Sequence, residues 1–329
     1  MKYWWKAVGY CVLLLLVGCM HTPTVELGQF SRESVELTDV PFFAQRRNQC
    51  GAAALATLLV HKGVKTSAVE LEPFVYLPGR EGALNLELIG QVRRHGLLAI
   101  PVNTIDGLLK EVSSGNPVLV MQNLGLDWLP QWHFAVVIGF NPENQQLILR
   151  SANNPRRTVH VDAFIKTWGR ADFWGIIASY PDHVTVSVTS GSFIKEAVAM
   201  EYVGQVEVAR KAYMAAYNHW PSDDTYLAQL GLANIAYARN EKDEAKKWFI
   251  EALQHHPEKA LLWNNLAFLM MDFGCYPQAK EVMSCALNLF PNHPALVASQ
   301  QEINEAVKAK QITGAQRGDG DRCHVPACP

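Results

Sequence analysis

The chain has 329 residues, 49% hydrophobic and 18% charged, which is enough apolar material for about two packed domains and excludes wholesale disorder. Lys+Arg total 29 against Asp+Glu 31, so the net charge is −2, without the basic excess of a dedicated nucleic-acid binder. Seven cysteines are too few for a disulfide scaffold, and neither G-x-x-x-x-G-K-[ST] nor G-x-G-x-x-G occurs, so no nucleotide, cofactor or metal site is read.

Lys2 and Lys6 flank the start of an apolar run, Ala7 to Val17. It is shorter than the ~20 residues of a spanning helix and reads as the h-region of a signal peptide. It ends Leu16-Val17-Gly18-Cys19. Small residues followed by cysteine resemble the bacterial lipobox, which implies a signal peptide over residues 1–18 and a lipidated Cys19. An ordinary cleaved signal peptide is the alternative. Met20, where an Asp would retain the chain, resembles lipoproteins sorted to the outer membrane, so the expected place is a lipid anchor there, facing the periplasm. Residues 19–37 are polar and read as a tether. No later segment is apolar enough to span; residues 117–140 are interrupted by Gln122, Asp127, Pro130 and Gln131.

Residues 38–185 mix short apolar runs with helical stretches. An apolar helix over Ala52 to Val60 follows Cys50-Gly51, so Cys50 sits at a helix N-terminus, where unpaired N–H groups and the helix dipole favour negative charge on sulfur. Gly51 leaves room for a substrate backbone. Gln45, on the preceding loop, can reach a carbonyl oxygen under attack and share it with the backbone N–H of Cys50, although capping the helix is an equally simple use for a nearby glutamine such as Gln45 or Gln49. Pro117 to Met121, His133 to Phe140 and Gln146 to Arg150 read as strands, the last two joined by Asn141-Pro-Glu-Asn144 in a hairpin. His133 opens a strand that enters the core, which is the rigid placement a general base needs. Trp128, Trp132 and Trp168 read as core or cleft wall, and Arg46 and Arg47 as a solvated loop.

Gln45…Gln49-Cys50-Gly-Ala-Ala-Ala-Leu55 and His133-Phe-Ala-Val-Val-Ile-Gly-Phe140 together resemble the papain-like peptidases that process double-glycine leaders, and more closely the stand-alone C39-like cysteine peptidase domains of lipoproteins. The resemblance implies an α+β papain-like domain acting on a peptide or protein substrate. Cys50 is its implied nucleophile, His133 its base and Gln45 its oxyanion donor. That family places an Asp at the end of the strand after the histidine strand; here the strand ends Leu147-Ile-Leu-Arg-Ser151-Ala-Asn153. A three-residue hairpin loop sets Ser151 opposite His133 and a five-residue loop sets Asn153 there, and either can orient the imidazole.

Residues 190–310 repeat. Ala245, Ala252 and Pro257 recur at Ala279, Ala286 and Pro291, 34 positions on, and an earlier copy carries Gly204, Ala209, Tyr213, Ala216 and Pro221. With Trp263 and Leu266 in phase, this resembles three tetratricopeptide repeats plus a charged capping helix, an all-α domain whose expected partner is a protein. Cys275 and Cys285 are too far apart to bond and read as packing residues. Residues 311–329 read as a disordered tail, in which Cys323 and Cys328 can pair with each other; a zinc set there lacks a fourth ligand. Three functions fit this organisation: a membrane-anchored cysteine peptidase, an inactive peptidase-like assembly lipoprotein, and a thiol acyltransferase or amidase.

Overall fold

The computed structural model describes residues 25–29, 31–45, 49–77, 79, 82–220, 225–312 and 320–329. The signal peptide and Cys19 lie outside the described residues, as do Arg46 and Arg47. No described helix is long and apolar enough to cross a membrane.

The N-terminal unit is a seven-stranded antiparallel sheet in the order β4-β9-β5-β6-β7-β8, with the short β1 beside β6. Its strands are β1 (Val35–Glu36), β4 (Leu98–Pro101), β5 (Val118–Asn123), β6 (Trp132–Asn141), β7 (Gln146–Ser151), β8 (Asn154–His160) and β9 (Gly175–Ser179). A two-stranded ribbon, β2 (Tyr76–Leu77) and β3 (Gly82–Ala83), stands apart. Both faces of the large sheet are buried, which is why its central strands read as nearly unbroken apolar runs. Phe134, Val136 and Ile138 pack with α1 (Cys50–His61), α2 (Ala68–Val75) and α3 (Asn85–Arg94). Ala135 and Val137 face the other core, with α4 (Ile105–Ser113) and α5 (Val161–Gly169).

That second core continues into the C-terminal unit. Seven helices follow among the described residues: α6 (Ser190–Tyr202), α7 (Val206–His219), α8 (Thr225–Ala238), α9 (Lys242–His255), α10 (Ala260–Asp272), α11 (Tyr276–Leu289) and α12 (Pro294–Ile312). They pack as successive pairs whose internal turns carry Gly204, Asn240 and Gly274, each with positive φ. These occupy the phase of the sequence repeat; asparagine tolerates the left-handed turn that glycine fills elsewhere. The two units are joined by more than the chain. Phe193, Ile194, Ala197 and Met200 of α6 complete the core that holds Leu98 and Ile100 of β4. Arg93 donates three charge-assisted bonds to Glu196, at 2.8, 3.0 and 3.2 Å. The buried Glu111 carboxylate accepts from the Ser187 N–H at 2.8 Å, from its hydroxyl, and from Asn116 at 2.8 Å, so the connecting segment is tied down.

The C-terminal tail departs from the sequence reading. Cys323 bonds Cys275 and Cys328 bonds Cys285, with Cα separations of 5.4 and 5.6 Å. Cys275 and Cys285 are therefore not simple packing residues, Cys323 and Cys328 do not pair with each other, and residues 320–329 are stapled rather than loose. The physical reason is a match of lengths. Ten residues of helix rise ~15 Å, and five extended residues span ~17 Å, so the tail lies along α11 with both sulfurs in register. Arg322 adds an ion pair to Asp243 at 3.2 Å, and Lys246 donates to the Arg322 carbonyl. The bridges span 48 and 43 positions in sequence, and in the chain-entropy account each contributes about 4 kcal/mol. Dithiothreitol is therefore expected to lower the melting temperature of the chain by about 5 °C or more. Peptide mapping without reduction should recover the two cross-linked pairs and leave Cys50 as the alkylatable thiol among the described residues. Unchanged melting after full reduction would contradict this.

Candidate active site

Cys50 is the first residue of α1, half-buried and free among the described cysteines. The N-cap residue, Gln49, makes no side-chain cap bond to that first turn. Gln49, at the N-cap position, sends its amide Nε2 to the Glu72 carboxylate of α2 instead, which answers the capping use for Gln49. Gly51 is pressed into the ribbon and the sheet: a Cβ there would lie 2.5 Å from Ala83 Cβ and 3.6 Å from a ring carbon of Phe134. Glycine thus allows the thiol's helix to seat against β6, the strand that carries His133.

His133 pairs with Gln122 of β5, and Gln122 is held in turn by Thr167 of α5 at 2.6 Å. On its other side, the His133 Nε2 lies 2.9 Å from Ser151 Oγ. Ser151, 2% exposed, ends β7. The hairpin joining β6 and β7 matches neither loop length expected from sequence. Asn141 pairs with Gln146 across four residues, and a bulge between Val137 and Gly139 shifts the register. Val136 then stands opposite Arg150, so Ser151 falls diagonal to His133 on the same face, within side-chain reach. Asn153 is not brought to His133. It occupies the exposed two-residue turn between β7 and β8, where Ser151 pairs with Asn154.

Gln45 is half-buried, and its backbone N–H donates to the Ala152 carbonyl at 3.3 Å. This ties Gln45 to the residue that follows Ser151. Strand β8 contributes a group the sequence reading did not single out. Arg157 pairs with Leu149, and Leu149 and Ser151 alternate onto one face of β7. Burial first, and the Arg157 charge second, push the His133 imidazole down to about 4. The ring is thus neutral through the physiological range, with Nε2 engaged by the Ser151 hydroxyl. Arginine in an exposed β8, recognisable as charged from the sequence, was the available signal; its register against Ser151 was not. Of the three tryptophans, Trp168 is core, whereas Trp128 and Trp132 are exposed.

A free thiol at the start of a helix that packs on the strand carrying a neutral imidazole is the equipment of thiol chemistry on a carbonyl. Residues 37–176 match the Peptidase_C39 like family. Residues 37–176 are a C39-like peptidase domain. Solved structures similar to the chain include a C39-like peptidase from Bacillus anthracis, at 18% identity and a TM-score of 0.39, covering 47% of this chain and 100% of that one. The peptidase domain of Streptococcus ComA, a bifunctional ABC transporter involved in quorum sensing, is 19% identical over 43% of this chain and 98% of its own, with a TM-score of 0.35. A double glycine motif protease from an AMS/PCAT transporter, in complex with the leader peptide, is 19% identical over 42% of this chain and 90% of its own, with a TM-score of 0.33. No curated protein matches the chain. The C39-like domain here is followed by the helical unit described above.

Proposed function

We propose that the chain is a cysteine peptidase that hydrolyses peptide bonds. The observation that carries the reading is the His133–Ser151 hydrogen bond, formed between two strands of the sheet on which the helix opened by the free thiol packs. Cys50 Sγ attacks the peptide carbonyl as its proton passes to His133 Nδ1. The amine leaves with that proton, and a thioester remains on Cys50. Water then attacks the thioester, gives a proton to His133, and releases the acid as the thiol re-forms. Ser151 Oγ accepts from Nε2–H and keeps the ring turned toward the thiol. The backbone N–H of Cys50 and the Gln45 amide stabilise the oxyanion.

The same reading divides the chain into a peptidase domain over 38–185 and tetratricopeptide repeats over 190–310 that recruit substrate or a protein partner. It places the chain on the outer membrane through Cys19. Two disulfides in the helical unit suit the oxidising periplasm. One observation favours the inactive assembly lipoprotein instead: among the described residues His133 faces a neutral hydroxyl and a cation, and no described acid is paired with it to support the imidazolium as it forms. The test is to incubate the full chain, in detergent, with a mixed peptide library and to read products by mass. Products that sum to substrate plus one water are expected. Transfer to an added amine without water uptake would give the acyltransferase reading, and no turnover of any peptide would give the assembly reading.

A further inference from the structure

The segment between β5 and β6, residues 124–131, is a rigid hairpin that displays apolar side chains to solvent. Asn123, 2% exposed, braces it: its Oδ1 accepts from the N–H groups of Gly125 at 3.0 Å and Gln131 at 2.9 Å. Leu124 N–H donates to the Gln131 carbonyl, and Leu126 and Leu129 exchange both backbone bonds, at 3.1 and 3.0 Å. Gly125 is required by this closure, since a Cβ there would meet the Leu129 carbonyl oxygen at 2.4 Å. What the frame presents is Leu126 at 51% exposure, Trp128 at 78%, Leu129 at 63% and, at the root of the hairpin, Trp132 at 52%. Asp127 is the one charged residue among residues 124–132. Scattered apolar residues on a surface need no explanation, but four of them on one braced turn form a patch of the kind that marks a binding surface.

Its position identifies the occupant. Trp132 directly precedes His133, and the β5–β6 register sets Asn123 against Trp132 and Gln122 against His133. The hairpin therefore begins where the imidazole ends. On the thiol side, Leu86 at the start of α3 is 75% exposed, three residues from the Ala83 that touches Gly51. A peptide whose carbonyl lies between the thiol and the imidazole advances ~3.5 Å per residue, so its next side chains fall within one or two residues of Trp132 and the hairpin.

We infer that the 124–131 hairpin is a specificity element that receives large apolar side chains of the peptide substrate, flanking the bond to be cut, with Trp128 as its main contact. The inference rests on the peptidase reading and adds the substrate class. An indole carried on so braced a backbone offers large apolar area at the cost of ordering only two side-chain torsions, which is what makes such groups strong anchors.

The experiment uses two decapeptide sets that differ in flanking residues, one Leu/Phe-rich and one Ser/Gln-rich. The ratio of their kcat/KM values is measured for the wild type and for Trp128→Ser. Binding of the Leu/Phe set to the Cys50→Ala protein, with and without Trp128→Ser, is followed by indole fluorescence. The wild type is expected to prefer the apolar set, the ratio to fall about tenfold in Trp128→Ser, and binding to Cys50→Ala to weaken about tenfold with the same change. Binding that needs Trp128 in a chain without any turnover would keep the hairpin as an apolar peptide site and remove the peptidase reading. Turnover with an unchanged ratio in Trp128→Ser would overturn the hairpin inference and keep the peptidase. Loss of binding to phosphatidylcholine vesicles in Trp128→Ser, with the peptide ratio unchanged, would also overturn it and assign the hairpin to a membrane surface.

Discussion

Cys50→Ala is expected to lower peptide hydrolysis by about 10⁴-fold or more, measured as kcat/KM on any peptide the wild type cleaves. The size follows from the division of labour. The thiol forms the covalent bond, and no other described cysteine is free to replace it, because Cys275, Cys285, Cys323 and Cys328 are all in disulfides. The variant should fold. Cys50 is only half-buried, alanine suits a helix whose next three residues after Gly51 are Ala52, Ala53 and Ala54, and the melting temperature should stay within a few degrees. Residual hydrolysis above a tenth of the wild-type value, with the fold intact, would remove Cys50 from the chemistry.

Ser151→Asp is expected to increase kcat/KM near neutral pH by about tenfold and to move its acid limb upward. The sign follows from the state of His133. With its pKa lowered to about 4, the ring accepts a proton throughout the range above that value, and activity falls only as pH drops through about 4. The weakness lies in the conjugate acid: when the thiol proton arrives, the imidazolium faces a hydroxyl and the Arg157 charge. A carboxylate at the Ser151 position stabilises that cation, raises the imidazole pKa by about 1–3 units, and so lowers the barrier to proton transfer while shifting the acid limb to higher pH. Arg157→Gln should move the limb the same way by a smaller amount. A kcat/KM profile in which Ser151→Asp leaves the limb where it is would show that residue 151 does not set the charge of His133. The buried position makes the substitution costly to stability, so the profile is read well below the variant's melting temperature.

Much of the fold was legible because it rests on local patterns. The run Ala52 to Val60 after Cys50-Gly51 reads as a buried helix and is one, within α1. His133 to Phe140 reads as a core strand and lies within β6. The 34-residue repeat of Ala245, Ala252 and Pro257 announced helix pairs, and the turns at Asn240 and Gly274 keep that phase. What failed to show was long-range. The bulge at Val137/Gly139, which leaves no composition signal, sets the face of β7 that meets His133, and the turn at 152–153 leaves Ser151 rather than Asn153 on that face. The tail was misread because cysteines were paired with near neighbours in sequence. The ten-residue step from Cys275 to Cys285 and the five-residue step from Cys323 to Cys328 have the same physical length in helix and extended chain, and that comparison was open to the sequence. The exposed state of Trp128 was not open to it, since nothing short of the Asn123 bonds says that an apolar turn stays out of the core.

In the proposed mechanism Cys50 becomes acylated because His133 takes its proton. The most direct measurement mixes the full chain with a peptide ester, quenches in acid over seconds to minutes, and locates the adduct by tandem mass spectrometry. The prediction is a thioester on Cys50 that accumulates in the wild type and forms about 10²-fold or more slowly in His133→Ala. Acyl groups found elsewhere but never on Cys50, or a Cys50 thioester forming equally fast without His133, would contradict it.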